Sequence, residues 1–231
     1  MKKTPLLPLL FLSATWLSLS SASGSLLAPG TSLPPDIFTP IVGGTLEASL
    51  NSGLVTSTNG KLTFDVVTAV YSDPSNVFGA GDLDFVYQVQ SSASSVDGIS
   101  RLTAIDFTGF QTDVGYTIAG SALPGGVFVD GNAFPPQTVD RSLGGGTIGF
   151  NFPIPSSINP RQTSFALIIE TNATTFTTGA FNVIDGGVST VAAFEPTAPA
   201  VPDTGATAIL LSLGVIGLCA AYRALGYGSV A

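Results

Sequence analysis

Along Leu83–Gln90 the apolar residues Leu83, Phe85, Tyr87 and Val89 alternate with Asp84, Val86, Gln88 and Gln90. A repeat of two residues sends successive side chains to opposite faces of a pleated strand, whereas an amphipathic helix needs an apolar stripe at 3.6. No segment between residues 41 and 195 shows such a stripe with caps, and Gly, Pro, Ser, Thr and Phe are abundant there. Further strands are predicted at Ile99–Phe110, Val114–Ala119, Thr147–Phe152, Ser164–Thr171, Ala180–Ile184 and Val188–Phe194. Asn59-Gly60 between Leu54–Thr58 and Lys61–Val67 predicts a type I′ hairpin turn, in which both turn residues take φ > 0. Asp185-Gly186-Gly187 predicts a second tight turn. Short strands separated by turn signals every ten residues or so imply an all-β domain, a two-sheet β-sandwich or a jelly-roll-like fold.

The two ends of the chain read differently. Lys2 and Lys3 precede an apolar stretch from Leu6 to Leu19 and the small residues Ser20-Ser21-Ala22, the layout of a secretory signal peptide over 1–22. Cleavage is expected after Ala22, with Gly24 as the alternative. A Pro-rich lead-in over 23–40 and a Pro/Ala linker over 196–200 flank the sandwich at 41–195, and the linker is expected to be extended. The segment 201–231 opens with Val201-Pro202-Asp203-Thr204-Gly205 and continues as an uncharged run from Ala206 to Tyr222, followed by Arg223. Those seventeen residues form about 26 Å of helix, enough to cross a hydrocarbon core of about 30 Å with slight thinning.

Composition limits the chemistry. Trp16 and Met1 fall in the signal segment, Cys219 falls in the tail and the chain has no histidine, so residues 23–205 lack Cys, His, Met and Trp. An intrachain disulfide, a Ser-His-Asp or Cys-His mechanism and imidazole-ligated zinc are thereby excluded. Asp and Glu number fifteen against seven Lys and Arg, a balance that repels phosphate backbones and argues against nucleic-acid binding. A Ser-Lys dyad would need Lys61, which follows a turn and reads as a solvated hairpin charge. Gly144-Gly145-Gly146 lacks the Gly-Lys-Ser/Thr of a phosphate loop and reads as a turn, as does Asn172-Ala173-Thr174. Asp65, Asp84 and Asp106 are the strand carboxylates from which a glycosidase pair could be drawn. Asp73, Asn76, Asp82 and Asp84 lie in or beside one Gly-containing loop and offer the hard oxygens calcium takes, but their spacing matches no calcium loop. On this reading the chain has no assigned catalytic residue, metal ligand or cofactor.

Val201-Pro202-Asp203-Thr204-Gly205-Ala206-Thr207, the Leu-rich run and Arg223 resemble the VPD-type variant of the PEP-CTERM sorting signal, read by exosortase-type membrane enzymes. The phrases Asp82–Val89, Ile99–Leu102, Phe110–Tyr116, Thr171–Ala173 and Ile184–Gly187 are similar to phrases common in exported PEP-CTERM proteins. A single Arg223 stands where the family carries a cluster of arginines. The resemblance implies secretion, a transient hold in the inner membrane, processing by an exosortase-like enzyme, and delivery to the cell surface or extracellular matrix, with exopolysaccharide as a partner. It implies no catalytic residue. The pentapeptide also differs by one residue, Val201 for Leu, from the LPxTG signal of Gram-positive sortases. Three classes follow: a non-catalytic exported envelope or matrix protein, the expected one; a carbohydrate-binding module or adhesin; and a carboxylate glycosidase.

Far-UV circular dichroism is expected to show a β spectrum, and a helix content above about a third would contradict the sandwich. Reducing agents are expected to leave the melting temperature unchanged, because the chain holds a single cysteine.

Overall fold

The structure is a computed structural model that describes residues 25–38, 41 and 44–197. The expected signal segment 1–22 with its cleavage site at Ala22, the motif Val201–Gly205, the span 206–222 and Arg223 lie outside the described residues. Among the described residues no helix is long and apolar enough to cross a membrane.

The described chain is all-β, with two sheets arranged as a β-sandwich. The larger sheet runs β1 (Ser25–Leu26), β9 (Thr112–Thr117), β12 (Ala166–Thr171), β7 (Leu83–Ser91), β6 (Thr63–Ser72) and β4 (Thr45–Asn51). In the same sheet β3 (Asp36–Ile37) lies beside β9, and β5 (Val55–Thr56) lies beside β6. The smaller sheet runs β14 (Val188–Pro196), β13 (Phe176–Ile184), β8 (Arg101–Ala104), β11 (Ile148–Asn151), β10 (Thr138–Arg141) and β2 (Ser32–Leu33).

Period two explains the core. Phe64, Val66 and Val70 of β6, Phe85, Tyr87 and Val89 of β7, and Leu167 and Ile169 of β12 face Leu102, Phe150, Phe181 and Val183 of the smaller sheet in one buried cluster. Tyr87 stacks on Phe181 at 4.8 Å, and its hydroxyl donates to the Phe194 carbonyl at 2.7 Å, so one side chain bonds the two sheets while remaining in the apolar row. The opposite face of the larger sheet is covered as well. Phe38, Ile41, Leu123 and Phe128 lie over Ala69, Tyr71, Val86, Ala166 and Ile168. Gly115 makes this cover possible, because a Cβ there would sit 2.5 Å from the Phe38 ring.

Several local expectations change. The Asn59-Gly60 turn is not type I′: Gly60 has φ +72, but Asn59 is outside the left-handed region. Asn59 Oδ1 instead accepts from the Lys61 amide and the Ser57 hydroxyl, and Gly60 N bonds Ser57 O, which makes a longer loop with glycine alone at positive φ. The predicted strand Ile99–Phe110 shortens to β8, because Asp106 adopts φ 67 and Phe110 N turns back to Phe107 O. β4 and β10 were not predicted: the first alternates only between exposed and half-buried positions, and the second has four residues between Pro and Gly runs. The Pro-rich lead-in, read as lying outside the sandwich, is stitched to both sheets, since β1 and β3 pair with β9 while β2 pairs with β10.

Arg141 ties that strap down. Its side chain is buried, 4% exposed, and has no carboxylate partner among the described residues. Nε donates to Gly145 O, Nη1 to Leu27 O and Thr112 Oγ1, and Nη2 to Phe107 O and Phe110 O. One guanidinium thereby joins the N-terminal strap, β9, the loop after β8 and the β10–β11 turn. Truncation would leave Gly145 O and Phe110 O without a donor and take one of two donors from Leu27 O and Phe107 O, so Arg141→Met is expected to destabilise by about 3–5 kcal/mol in urea titrations. Arg141→Lys is expected to recover only part of that loss, since an ammonium has three donors in place of a planar five-donor fork. A loss below about 1 kcal/mol in Arg141→Met would show that the strap is held by other contacts.

Candidate functional site

The outer face of the larger sheet carries the chemistry. Register places Tyr71, Asp84, Glu170 and Asp113 opposite one another on β6, β7, β12 and β9, and the next row is Ala69, Val86, Ile168 and Gly115. Three carboxylates therefore lie side by side across adjacent strands. Like charges directly opposite in a sheet are destabilising, and here burial removes the water that would screen them. Asp84 is 0% exposed and Asp113 2%, while Glu170 is half-buried.

The β6–β7 loop folds over this end of the row. Asp73 follows β6; its Oδ1 accepts from the Ser75 amide and hydroxyl, and its carbonyl accepts from the Asn76 and Gly81 amides. Asn76 Nδ2 donates to Asp84 Oδ1 at 2.8 Å and to Thr171 O at 3.1 Å, while its Oδ1 accepts from Phe78 N. Carboxylate oxygens of Asp73, Asp84 and Glu170 lie within 4.8 Å of one another. Asp84 Oδ2 and Asp113 Oδ1 are buried without a hydrogen-bond partner. The ion pairs among the described residues lie elsewhere, Lys61 with Asp97 at 3.0 Å and Arg101 with Asp140 at 2.5 Å.

Of the loop residues singled out in the sequence, the structure brings Asp73, Asn76 and Asp84 together and leaves Asp82 outside the cluster. Glu170 and Asp113 had no signal in their own segments, because only strand register places them beside Asp84. The glycosidase set is not assembled. Asp65 lies opposite Gln90, six positions along β6 from the Tyr71–Asp84 pair and so about 20 Å away. Asp106 sits beyond β8 near Glu195, whose pKa is raised by burial first and then by Asp106. Lys61 is solvated and held by Asp97, which raises its pKa, the wrong direction for a general base. Gly144–Gly146 forms the turn that presents Gly145 O to Arg141, and Asn172 Oδ1 accepts from Gln111 N. Tyr71, Tyr87 and Tyr116 are buried, so none offers a stacking face to a sugar.

Burial sets the titration of the row. It raises Asp84 well above the carboxylate range, reinforced by Glu170 and Asp73, and raises Glu170 to about 7 with help from Asp113 and Asp73. Asp113 rises to about 6 through burial and, secondarily, Asp36. Comparison of the chain with protein-family models, curated proteins and solved structures found no match.

In chelator, the folded state holds protons that the unfolded chain releases near pH 4. Stability from these groups is therefore present at pH 4 and is lost as pH rises through about 6 to 7, the raised values of Asp113 and Glu170. The metal-free melting temperature is expected to be lower at pH 8 than at pH 5, and Glu170→Gln to flatten that dependence. A melting temperature that climbs from pH 5 to 8 would contradict this electrostatic reading.

Proposed function

We propose that this chain is a non-catalytic exported protein of the cell envelope or extracellular matrix. Its domain is a sandwich, jelly-roll-like in the finer reading, delivered by a signal segment cleaved after Ala22 and held by the span 206–222. An exosortase-like membrane enzyme reads Val201-Pro202-Asp203-Thr204-Gly205, with Arg223 as the cytoplasmic hold. Dragging that arginine to the bilayer centre costs about 2.5–3.5 kcal/mol, which retains the precursor long enough for cleavage near Gly205.

The observation that carries this reading is the double address around a body without imidazole or thiol. The geometry supports it from another side: Asp84 and Asp113 are sealed from any substrate, and Asp65 and Asp84 are too far apart to act as an acid–base pair. The sugar-binding alternative loses its platform through the burial of all three tyrosines of the body. Exopolysaccharide then remains a partner of the matrix that holds the domain, with no tyrosine-lined groove to select it.

Replacement of Pro202 and Gly205 is expected to leave secretion intact while unprocessed precursor accumulates in the inner membrane, because both residues shape the extended strand presented to the enzyme. Intact-mass measurement on protein from the native host reads the outcome. A wild-type mass ending near residue 205 agrees with sorting and release, and one retaining Ala206–Ala231 would leave a permanently anchored protein.

A further inference from the structure

We propose that Asp73, Asp84 and Glu170 form a calcium site that clamps the β6–β7 loop to the end of β12. Two observations independent of each other point to a cation. The first is the cluster itself, with one carboxylate oxygen from each residue within 4.8 Å of the others. The second is Asp84 Oδ2, fully buried and without any donor, while Asn76 takes Oδ1. A buried acceptor left unpaired is destabilising, more so when charged, and a carboxylate facing two others raises that cost. A divalent ion turns all three oxygens from a liability into ligands.

The donors select the ion. All are hard oxygens, and with no Cys or His in the body there is nothing to favour zinc, copper or iron. Calcium binds oxygens at about 2.3–2.6 Å in flexible geometry, and three carboxylate oxygens within 4.8 Å of one another can share one such ion. Magnesium binds at about 2.0–2.1 Å, demands a near-ideal octahedron and gives up water reluctantly at a buried position. Ser75 occupies Asp73 Oδ1 and Asn76 occupies Asp84 Oδ1, so the second oxygen of each carboxylate is the one assigned to the ion, with one oxygen of Glu170 from β12 as the third ligand. Asn76 is a positioning residue: its amide holds Asp84 Oδ1 and Thr171 O, which aligns β7 with the end of β12. The clamp would therefore close the loop on the sheet without entering the inter-sheet core.

This inference is independent of the sorting reading, since cation binding and tail processing are measured separately. The full chain in mild detergent, stripped with EGTA and dialysed at pH 7.5, is titrated with Ca²⁺ by calorimetry and melted with and without 2 mM Ca²⁺. Binding is expected with a Kd of about 10⁻⁵–10⁻³ M, together with a rise in melting temperature of about 4 °C or more; 2 mM Mg²⁺ is expected to give less than half of that rise. Asp84→Asn and Glu170→Gln are expected to fold, since each removes a repelling charge, and to lose the calcium response, while Asp82→Asn keeps it. The absence of binding heat in the wild type up to 5 mM Ca²⁺, an equal response to Mg²⁺, or a full response retained by Asp84→Asn would each overturn the site. If Asp84→Asn does not fold, Glu170→Gln decides by the same titration, and the wild-type heat decides if neither variant folds.

Discussion

A buried guanidinium with no carboxylate partner among the described residues holds the edge of this sandwich together. Arg141 meets five oxygens with five N–H donors, and those oxygens belong to the N-terminal strap, β9, the loop after β8 and the β10–β11 turn. The strap strands β1, β2 and β3 are two residues each. Their order comes from backbone pairing to β9 and β10, from the burial of Leu27 and Phe38, and from this one side chain. A planar, delocalised cation suits the task because it can satisfy several carbonyls in fixed directions at once. With the strap in place, Phe38 reaches Gly115 and the outer face of the larger sheet is covered.

That cover makes the outer face unusual. In a two-layer sandwich the outward face of each sheet ordinarily meets water, and an alternating strand such as β7 would expose Asp84 there. Here Val86 and Ile168 lie under Phe38, Ile41, Leu123 and Phe128, while the adjoining row of Asp84, Glu170 and Asp113 lies beside the β6–β7 loop. The same burial that strengthens the apolar patch raises the pKa of the carboxylates beside it. The two halves of one sheet face thus respond oppositely to the removal of water: one gains stability, and the other requires a proton or a cation.

The proposed role follows from the contrast between a plain interior and informative ends. Packing of Phe, Tyr, Val, Leu and Ile, with Tyr87 bonded between sheets, supplies cohesion without a disulfide. An acidic surface with few lysines and arginines suits a protein that must stay soluble outside the cell. Nothing in the described domain assembles a nucleophile with a base, and its tyrosines serve the core. A passive, displayed domain is the proposed function that these features fit.

Strand identity was legible locally because period-two alternation acts within one segment: Leu83–Gln90, Ser164–Thr171 and the Asp185–Gly187 turn needed no partner to be recognised. Asp73, Asn76 and Asp84 were also legible as hard oxygens within twelve residues of chain. Glu170 and Asp113 were not, because their place beside Asp84 depends on the register of β12 against both β7 and β9, fixed by inter-strand hydrogen bonds between distant segments. The edge strand β4 and the four-residue β10 escaped for a related reason: an exposed or very short strand has little apolar pattern, and its conformation is imposed by the neighbours it pairs with. The Asn59-Gly60 turn shows the same limit at small scale, since the dipeptide allows two turn geometries and the Ser57 and Lys61 hydrogen bonds to Asn59 Oδ1 chose between them. By itself, then, the sequence determined the all-β class, the composition of the core and the exclusion of thiol and imidazole chemistry, all of which are properties of single segments or of residue types. Tertiary structure alone decided the straps, the burial of Arg141 and the meeting of the carboxylates, because each depends on where segments far apart in the chain come to lie.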